Sequence, residues 1–281
     1  MSGLIRRFRF LRFLSIEVVS DAMAVGIFAV KWLRINPPLV WWPVLAISVW
    51  IIYTTDHLID AWQLRGESAI ARHRFHHTHF RSFIVSIVFL SFGNLFLISS
   101  FSDIRIVVFG IGLACIVFAY FTALFLKNII RITLPKELIV AFIFVAGIWF
   151  APLLLTNRNM DLLTVIILFI FLGLAFCEGA MVSFFEYQQD SIDLHTSFAV
   201  QYGKENSRSM IQILLFILLI INLFLFLFTH NDVEVAGLFI LLFMHLLLLL
   251  TVRYPAFFNK NGLYRIVGDS VFLLPGLLYW L

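Results

Sequence analysis

Charged residues are scarce in this chain of 281 residues, where Asp, Glu, Lys and Arg together make up 13% of the sequence. A typical soluble domain contains about 25% charged residues. Apolar residues reach 62% and include 33 Phe, which excludes a disordered chain and an ordinary cytosolic enzyme. Only two cysteines are present and no CxxC pair, so the chain is not a disulfide-rich scaffold. The net charge of +4 is too small to predict a nucleic-acid partner.

Long apolar runs cover almost the whole chain. A helix needs about 20 mostly apolar residues to cross a bilayer, whereas a barrel strand would show about 10 alternating residues. Turn-forming residues such as Asn36, Pro37 and Pro38 separate the runs. The sequence therefore predicts an all-α polytopic membrane protein, a bundle of nine transmembrane helices with a central cavity open to the cytoplasmic side. The predicted spans are 13–34, 39–62, 80–100, 104–126, 135–155, 161–188, 207–229, 231–252 and 264–281.

Lys and Arg residues are distributed unequally between the two sides of this predicted bundle. With nine spans, four of the 20 lie on the side opposite the N-terminus, namely Lys31, Arg34, Arg105 and Arg158. Cytoplasmic loops carry the excess of Lys and Arg in membrane proteins. We therefore expect an integral protein of the inner or plasma membrane with a cytoplasmic N-terminus and an outer C-terminus. Residues 1–281 are expected to form one transmembrane domain, with a basic interfacial N-terminus at 1–12 and cytoplasmic motif loops at 65–80 and 189–206.

Two groups of acidic residues lie near the inner ends of the second and sixth predicted spans. Asp56 and Asp60 are four residues apart, as are Glu186 and Asp190, and Asp193 follows. Residues four apart share a helix face, and acidic residues inside a membrane usually mark a functional site. The negative end of the helix dipole adds to these carboxylates, so a cation is needed between the two groups. Mg²⁺ takes carboxylate oxygens and shares them with substrate phosphates, and we predict that all five residues bind it and that the first four are catalytic.

Basic residues on the same side as the acidic groups are candidates for binding phosphate oxygens through charge-assisted hydrogen bonds. Tyr53 lies three residues before Asp56, on a similar helix face. An anionic head at the interface and an apolar tail between helices would suit an amphipathic diphosphate. The candidate residues for binding the diphosphate are Arg72, Arg74, Lys127, Lys136 and Tyr53.

These motifs resemble those of the UbiA superfamily of intramembrane prenyltransferases. Residues 53–61, Y-T-T-D-H-L-I-D-A, resemble the later part of the family's first motif, N-D-x-x-D-x-x-x-D. Residues 186–203, E-Y-Q-Q-D-S-I-D-L-H-T-S-F-A-V-Q-Y-G, resemble the second motif, with Asp190 at its last acidic position and Gly203 at its closing glycine. Tyr120 followed by Lys127 resembles the Tyr and Lys segment after the family's fourth helix, which adds Tyr120 to the candidate diphosphate-binding residues.

The resemblance implies nine transmembrane helices and a Mg²⁺-dependent transferase. Such an enzyme moves an isoprenoid group from an allylic diphosphate to a lipophilic or aromatic acceptor within the membrane, so its partners are those two substrates and the lipid bilayer. Ile52 and Tyr53 stand where the first motif has its leading Asn and Asp, and Glu186 stands where Asp is usual. The first motif is therefore incomplete, and the chain is a divergent member whose activity is either kept or lost. The acceptor and the oligomeric state are left open.

Two other functions fit parts of the sequence. A non-catalytic carrier or binding protein for an anionic lipid or an ion would use the same acidic and basic residues. His73, His76 and His77 form an H-x-x-H-H pattern that resembles a histidine box of membrane di-iron oxygenases. Those enzymes need several such boxes, and the histidines outside this segment stand alone. The transferase is therefore the favoured interpretation.

Overall fold

The computed structural model describes residues 13–63, 71–101, 103–126, 135–156, 160–193, 197–229 and 231–281, and the regular elements in these ranges are helices. The α-helices are α1 (Ile16–Leu33), α2 (Trp41–Gln63), α3 (Ala71–Thr78), α4 (Phe80–Ile98), α5 (Ile104–Phe125), α6 (Lys136–Leu155), α7 (Leu162–Phe185), α8 (Tyr187–Ile192), α9 (Phe198–Tyr202), α10 (Lys204–Leu225), α11 (Asp232–Arg253), α12 (Pro255–Phe258) and α13 (Leu263–Val271). Short 3₁₀ segments follow at Phe226–Phe228, Lys260–Gly262 and Leu274–Trp280.

Seven of the described helices are long and apolar enough to cross a membrane: α2, α4, α5, α6, α7, α10 with its 3₁₀ extension, and α11. The prediction of an all-helical, integral membrane protein is thereby confirmed, whereas the count of nine spans is not. Helix α1 occupies most of the first predicted span, but its 18 residues include Glu17 and Lys31. The ninth predicted span, 264–281, is divided between α13 and the 3₁₀ segment Leu274–Trp280. Pro275 lies at the start of that segment, where its fixed φ suits a new helical start.

The two segments expected to be motif loops are partly helical. Helix α3 occupies Ala71–Thr78 within 65–80, and 189–206 contains the end of α8, all of α9 and the start of α10. Gly203 separates α9 from α10 with a φ of 84°. A residue with a Cβ rarely adopts this backbone conformation, so the glycine permits the turn between the two helices.

The chain forms two compact units. Unit 1 contains Met1–Met23 and Pro38–Thr133, and unit 2 contains Ala24–Pro37 and Leu134–Leu281. The acidic pair of the first motif therefore belongs to unit 1, and the acidic group of the second motif belongs to unit 2.

In unit 1, α2 packs against α3, α4 and α5. Asn94 on α4 donates a hydrogen bond of 2.8 Å to the Ser48 hydroxyl on α2. The Trp50 indole donates to the Leu14 carbonyl at 2.9 Å, which fixes α2 to the segment before α1. Much of α4 is exposed, including Phe89 at 75%. An exposed Phe-rich face on a span-length helix is suited to contact with lipid.

In unit 2, α7 packs against α6, α10 and α11. Its fully buried residues recur every three or four positions, as expected for a helix with one face in the core. The Trp32 indole, near the end of α1, donates a hydrogen bond of 3.2 Å to the Thr164 hydroxyl at the start of α7. The α7 side chains with no exposed surface are those of Ile167, Ile170, Phe171, Leu174, Cys177, Ala180 and Met181.

Gly237 allows α11 to approach the end of α1 within unit 2. A Cβ at this position would lie 3.0 Å from the Trp32 ring and 3.1 Å from the Phe28 ring. These rings stack on each other with centroids 5.6 Å apart, and Phe28 also contacts Phe171 at 5.0 Å. The rings therefore have little room to move. Small residues serve this purpose at helix contacts in membranes.

We expect Gly237→Ala to lower the free energy of unfolding by about 1–3 kcal/mol because it overpacks this contact. Gly112→Ala is the matched control, since a Cβ on Gly112 in α5 meets nothing within 4 Å. That substitution should be neutral or slightly stabilising, because Ala is a better helix former than Gly. Denaturant titration of both variants in mixed micelles gives the comparison, and equal effects would contradict the close approach at Gly237.

Candidate functional site

The first acidic pair lies on the last two turns of α2, in unit 1. Asp60 is buried and Asp56 is half-buried. The Tyr120 hydroxyl on α5 donates to Asp56 Oδ1 at 3.3 Å. Two turns further along α2, the Gln63 side-chain amide donates to the Leu124 carbonyl at 3.0 Å. These two contacts join the ends of α2 and α5, so two of the predicted site residues, Asp56 and Tyr120, are brought together.

The remaining candidates of unit 1 lie on α2 and α3. Tyr53 is half-buried on α2, one turn before Asp56. Arg72 is half-buried and Arg74 is exposed on α3, a helix that packs against α2. Lys127 lies outside the described residues. Helix α3 therefore places basic side chains on the helix that carries the acidic pair.

His76 on α3 is fully buried rather than part of a cationic surface. Its ring stacks on Phe83 with centroids 4.5 Å apart and meets the edge of His57 at 5.4 Å. The pKa of His76 is lowered to about 4, mainly by burial and also by the positive charges of Arg72 and His79, while the hydrogen bond between Nδ1 and the Arg72 carbonyl acts in the opposite direction. His76 is therefore neutral at pH 7 and adds no positive charge for a phosphate, whereas His77 is exposed.

The second acidic group begins at Glu186, which lies between α7 and α8 in unit 2. Its carboxylate forms an ion pair with Arg265 on α13 and accepts a hydrogen bond of 2.9 Å from the Tyr264 hydroxyl. The Tyr264 ring stacks on Phe185 with centroids 4.4 Å apart. Only 9% of the Glu186 side chain and 17% of the Arg265 side chain are exposed. Arg265 thus supplies positive charge at this carboxylate, and the binding of Mg²⁺ by Glu186 stays a prediction.

Asp190 and Asp193 follow at the next turn. Asp190 lies on α8, Asp193 ends that helix, and both are buried. Their spacing of three places them on neighbouring positions of one helix face. The second motif therefore holds two buried carboxylates beyond the one that pairs with Arg265.

Glu137 and Ser183 hold the tail of the second motif in place within unit 2. Glu137 Oε1 accepts the Phe198 backbone N–H at 2.9 Å, and the Ser183 hydroxyl accepts that of Ala199 at 2.8 Å. These amides open α9, where the N–H groups of the first turn have no partner within the helix. Glu137 is buried, and its other carboxylate oxygen has no hydrogen-bond partner among the described residues.

The basic residues near the second motif have several roles. Lys136 is half-buried at the start of α6, and both Lys136 and Asp190 interact electrostatically with Glu137. The Lys204 ammonium lies 5.4 Å from the centre of the Phe184 ring. Arg208 donates to the carbonyls of Val252 and Arg253, at 3.2 and 3.0 Å, at the end of α11. Arg208 therefore serves the fold, while Lys136 remains a candidate for binding phosphate.

The roles of Glu137 and Arg265 were not predicted from the sequence. For Glu137 a signal existed, because an acidic residue in the first turn of an apolar helix is costly in a membrane unless it has a partner. No sequence signal indicated that Arg265 would pair with Glu186, 79 residues away.

The donors of each unit were compared with what a metal ion requires. Among the described residues, no group of three or more His, Cys, Asp or Glu side chains could hold a metal ion. Mg²⁺ commonly binds through one or two carboxylates, with substrate phosphates and water as its other ligands. The pairs Asp56 with Asp60 and Asp190 with Asp193 supply oxygen donors of that kind. Convergence of the two pairs on a shared ion stays a prediction.

No protein-family model, no curated protein and no solved structure matches this chain. The similarity to the UbiA superfamily therefore depends on the two acidic motifs, on their positions at helix ends and on the helical membrane architecture.

Proposed function

We propose that the chain is a Mg²⁺-dependent intramembrane transferase that moves an isoprenoid group from an allylic diphosphate to a lipophilic or aromatic acceptor. The proposal includes membership of the UbiA superfamily, nine spans around a cavity open to the cytoplasm, a cytoplasmic N-terminus and an outer C-terminus. The observation that carries it is the end of α2, where Asp56 and Asp60 share a helix face, Tyr120 binds Asp56 at 3.3 Å and α3 adds basic residues.

This end of α2 is suited to a diphosphate because acidic and basic side chains lie on neighbouring helices there. Asp56 and Asp60 lie on α2, and α3, which packs against α2, carries the basic residues. The carboxylates lie at a helix C-terminus, where the helix dipole disfavours negative charge, so a divalent cation would stabilise them. Arg72 and Arg74 on the adjoining α3 can then bind phosphate oxygens by charge-assisted hydrogen bonds. The exposed Phe-rich face of α4 keeps this part of the protein in the membrane, where an isoprenoid tail also dissolves.

Each group of residues has a proposed task. Asp56 and Asp60 hold one metal, Asp190 and Asp193 hold a second, and Glu186 holds Arg265 by its ion pair. Arg72, Arg74, Lys127 and Lys136 bind the diphosphate, with Tyr53 and Tyr120 beside the first carboxylates. Bound Mg²⁺ would supply the positive charge that stabilises the departing diphosphate. The carbon–oxygen bond breaks, diphosphate leaves with the electron pair, and the acceptor forms the new bond and loses a proton.

The test is an assay of purified protein in lipid nanodiscs with a panel of labelled isoprenoid diphosphates. We expect diphosphate release that requires Mg²⁺ and stops on chelation, together with a labelled lipophilic product. Asp60→Asn should lower the rate by about 100-fold, since it removes one charged group from the stabilisation of the leaving diphosphate.

Asp232→Asn is the matched control for this assay. Asp232 is an exposed residue in the first turn of α11, so the same chemical change there should leave the rate within about twofold of wild type. Equal rates for wild type and Asp60→Asn would contradict the metal assignment. No turnover of any diphosphate by a folded, monodisperse protein would contradict the transferase.

The incomplete first motif favours a second candidate, a non-catalytic carrier for an anionic lipid or an ion. Ile52 and Tyr53 replace two polar residues of the motif, and fewer ligands weaken catalysis more than simple binding. The same assay separates the two functions. Retention of an isoprenoid diphosphate by purified protein, without release of diphosphate, would indicate the carrier.

A further inference from the structure

Unit 1 contains a cavity of about 350 Å³ that the proposed reaction does not use. Trp62, near the end of α2, forms one wall, and residues 77–82, from the end of α3 to the first turn of α4, form the other. Ligand sites of small molecules begin at about 300 Å³, so the space is sufficient for a phosphate group and the atoms attached to it.

The cavity lies at the ends of two neighbouring membrane spans. Trp62 is one residue from the end of the span Trp41–Gln63, and Arg81 is the second residue of the span Phe80–Ile98. Both therefore lie at the level where a span leaves the hydrocarbon region, and Trp and Arg are characteristic of this level. Phospholipid headgroups occupy the same level.

The ionisable residues that line the cavity are one Arg and two His residues. Arg81, His77 and His79 line it, and no Asp or Glu is among its lining residues. Among the described residues, Arg81 and His77 have neither an ion pair nor a hydrogen bond from their side chains. Trp62 and Ser82 add an indole N–H and a hydroxyl, which are further donors. The lining therefore offers several donors and positive charge to an anion.

The apolar side chains around the cavity favour a lipid over a free anion as its ligand. The Trp62 ring is 52% exposed and is held by stacking on Phe125, with centroids 5.0 Å apart. Phe80 lies in the cavity wall, and along α4 the exposed side chains of Val85 and Phe89 continue toward the membrane interior. A phosphate in the cavity could thus remain attached to acyl chains that lie on α4.

We propose that this cavity binds the phosphate group of a membrane phospholipid, with Arg81 as its main charged contact. The site contains none of the acidic residues of the proposed transferase, and the inference does not depend on that function. An anionic phospholipid is favoured, since an exposed Arg attracts the negative surface of a membrane leaflet.

The test uses native mass spectrometry of the full-length protein in detergent, titrated with phosphatidylglycerol or with phosphatidylcholine of the same acyl chains. We expect one tightly bound phosphatidylglycerol per protein. Arg81→Gln should weaken phosphatidylglycerol about tenfold, as expected for the loss of a charge-assisted hydrogen bond to the phosphate, and should weaken phosphatidylcholine by a smaller factor, because its choline partly neutralises the phosphate. Trp62→Phe, which keeps the aromatic stack and removes the N–H, should weaken phosphatidylglycerol about threefold.

Arg105→Gln is the matched control. Arg105 is also an exposed Arg in the first turn of a span, but its guanidinium is paired with Asp103 at 2.7 Å. Equal weakening by Arg81→Gln and Arg105→Gln, or no weakening by either, would overturn the proposal. Inorganic phosphate is the third probe: binding at least tenfold weaker than phosphatidylglycerol supports a lipid headgroup, whereas Arg81-dependent binding of equal strength would assign the site to free phosphate and overturn the lipid assignment.

Discussion

Replacing Glu186 with alanine should lower the free energy of unfolding by about 3–5 kcal/mol, since it removes one partner of a buried ion pair. The pair is well enclosed, with only 17% of the Arg265 side chain and 9% of the Glu186 side chain exposed. Removing the carboxylate also removes the hydrogen-bond acceptor of the Tyr264 hydroxyl. The stacking of the Tyr264 ring on Phe185 holds this hydroxyl in place. Removing one partner of a buried ion pair destabilises a protein by more than the pair itself contributes.

A double variant separates the lost pair from the lost packing. Glu186→Ala combined with Arg265→Met removes both charges, and we expect it to recover most of the stability lost by Glu186→Ala alone. Denaturant titration in mixed micelles measures all the variants under one condition.

Glu205→Ala is the control for the same chemical change at the surface. Glu205 is 79% exposed and lies 3.9 Å from Arg208, so its loss should change stability by less than about 0.5 kcal/mol. If Glu186→Ala were no more destabilising than Glu205→Ala, the buried pair would be contradicted.

The membrane-spanning helices were largely predictable from the sequence, because the length of an apolar run determines whether a helix can cross a bilayer. The predicted span 104–126 became Ile104–Phe125, and 80–100 became Phe80–Ile98. Prediction failed where hydropathy is high but backbone geometry decides. The run 264–281 is divided before Pro275, whereas 161–188 contains the span-length helix Leu162–Phe185 and extends beyond its end. Hydropathy does not indicate where the backbone bends within an apolar run.

The candidate site was predictable only where residues share one helix. The spacing of four between Asp56 and Asp60 sets their common face on α2, and only the family resemblance added Tyr120, which binds Asp56 at 3.3 Å. Contacts between distant segments were missed. The partner of Glu137 is a backbone N–H, 61 residues away at Phe198. Because every residue except proline carries such a donor, its sequence position gives no signal.

The contact between Glu137 and α9 leads to the second large effect. Glu137→Ala should lower the free energy of unfolding by about 3 kcal/mol, because it removes a buried charged acceptor and leaves a cavity. It should also release the tail of the second motif, since the Phe198 N–H loses its partner. Hydrogen exchange at Phe198 and Ala199 reports this release directly.

Glu137→Gln distinguishes the lost hydrogen bond from the lost charge. Its amide oxygen can still accept from the Phe198 N–H, so we expect protection at Phe198 to persist and the loss of stability to stay near about 1 kcal/mol. Ser183→Ala should expose the Ala199 N–H while leaving the Glu137 contact at Phe198 in place. Fast exchange at Phe198 in Glu137→Gln would contradict the role of Glu137 as acceptor. If Glu137→Ala left exchange unchanged, other contacts would be sufficient to hold α9, and the tail of the second motif would not depend on α6.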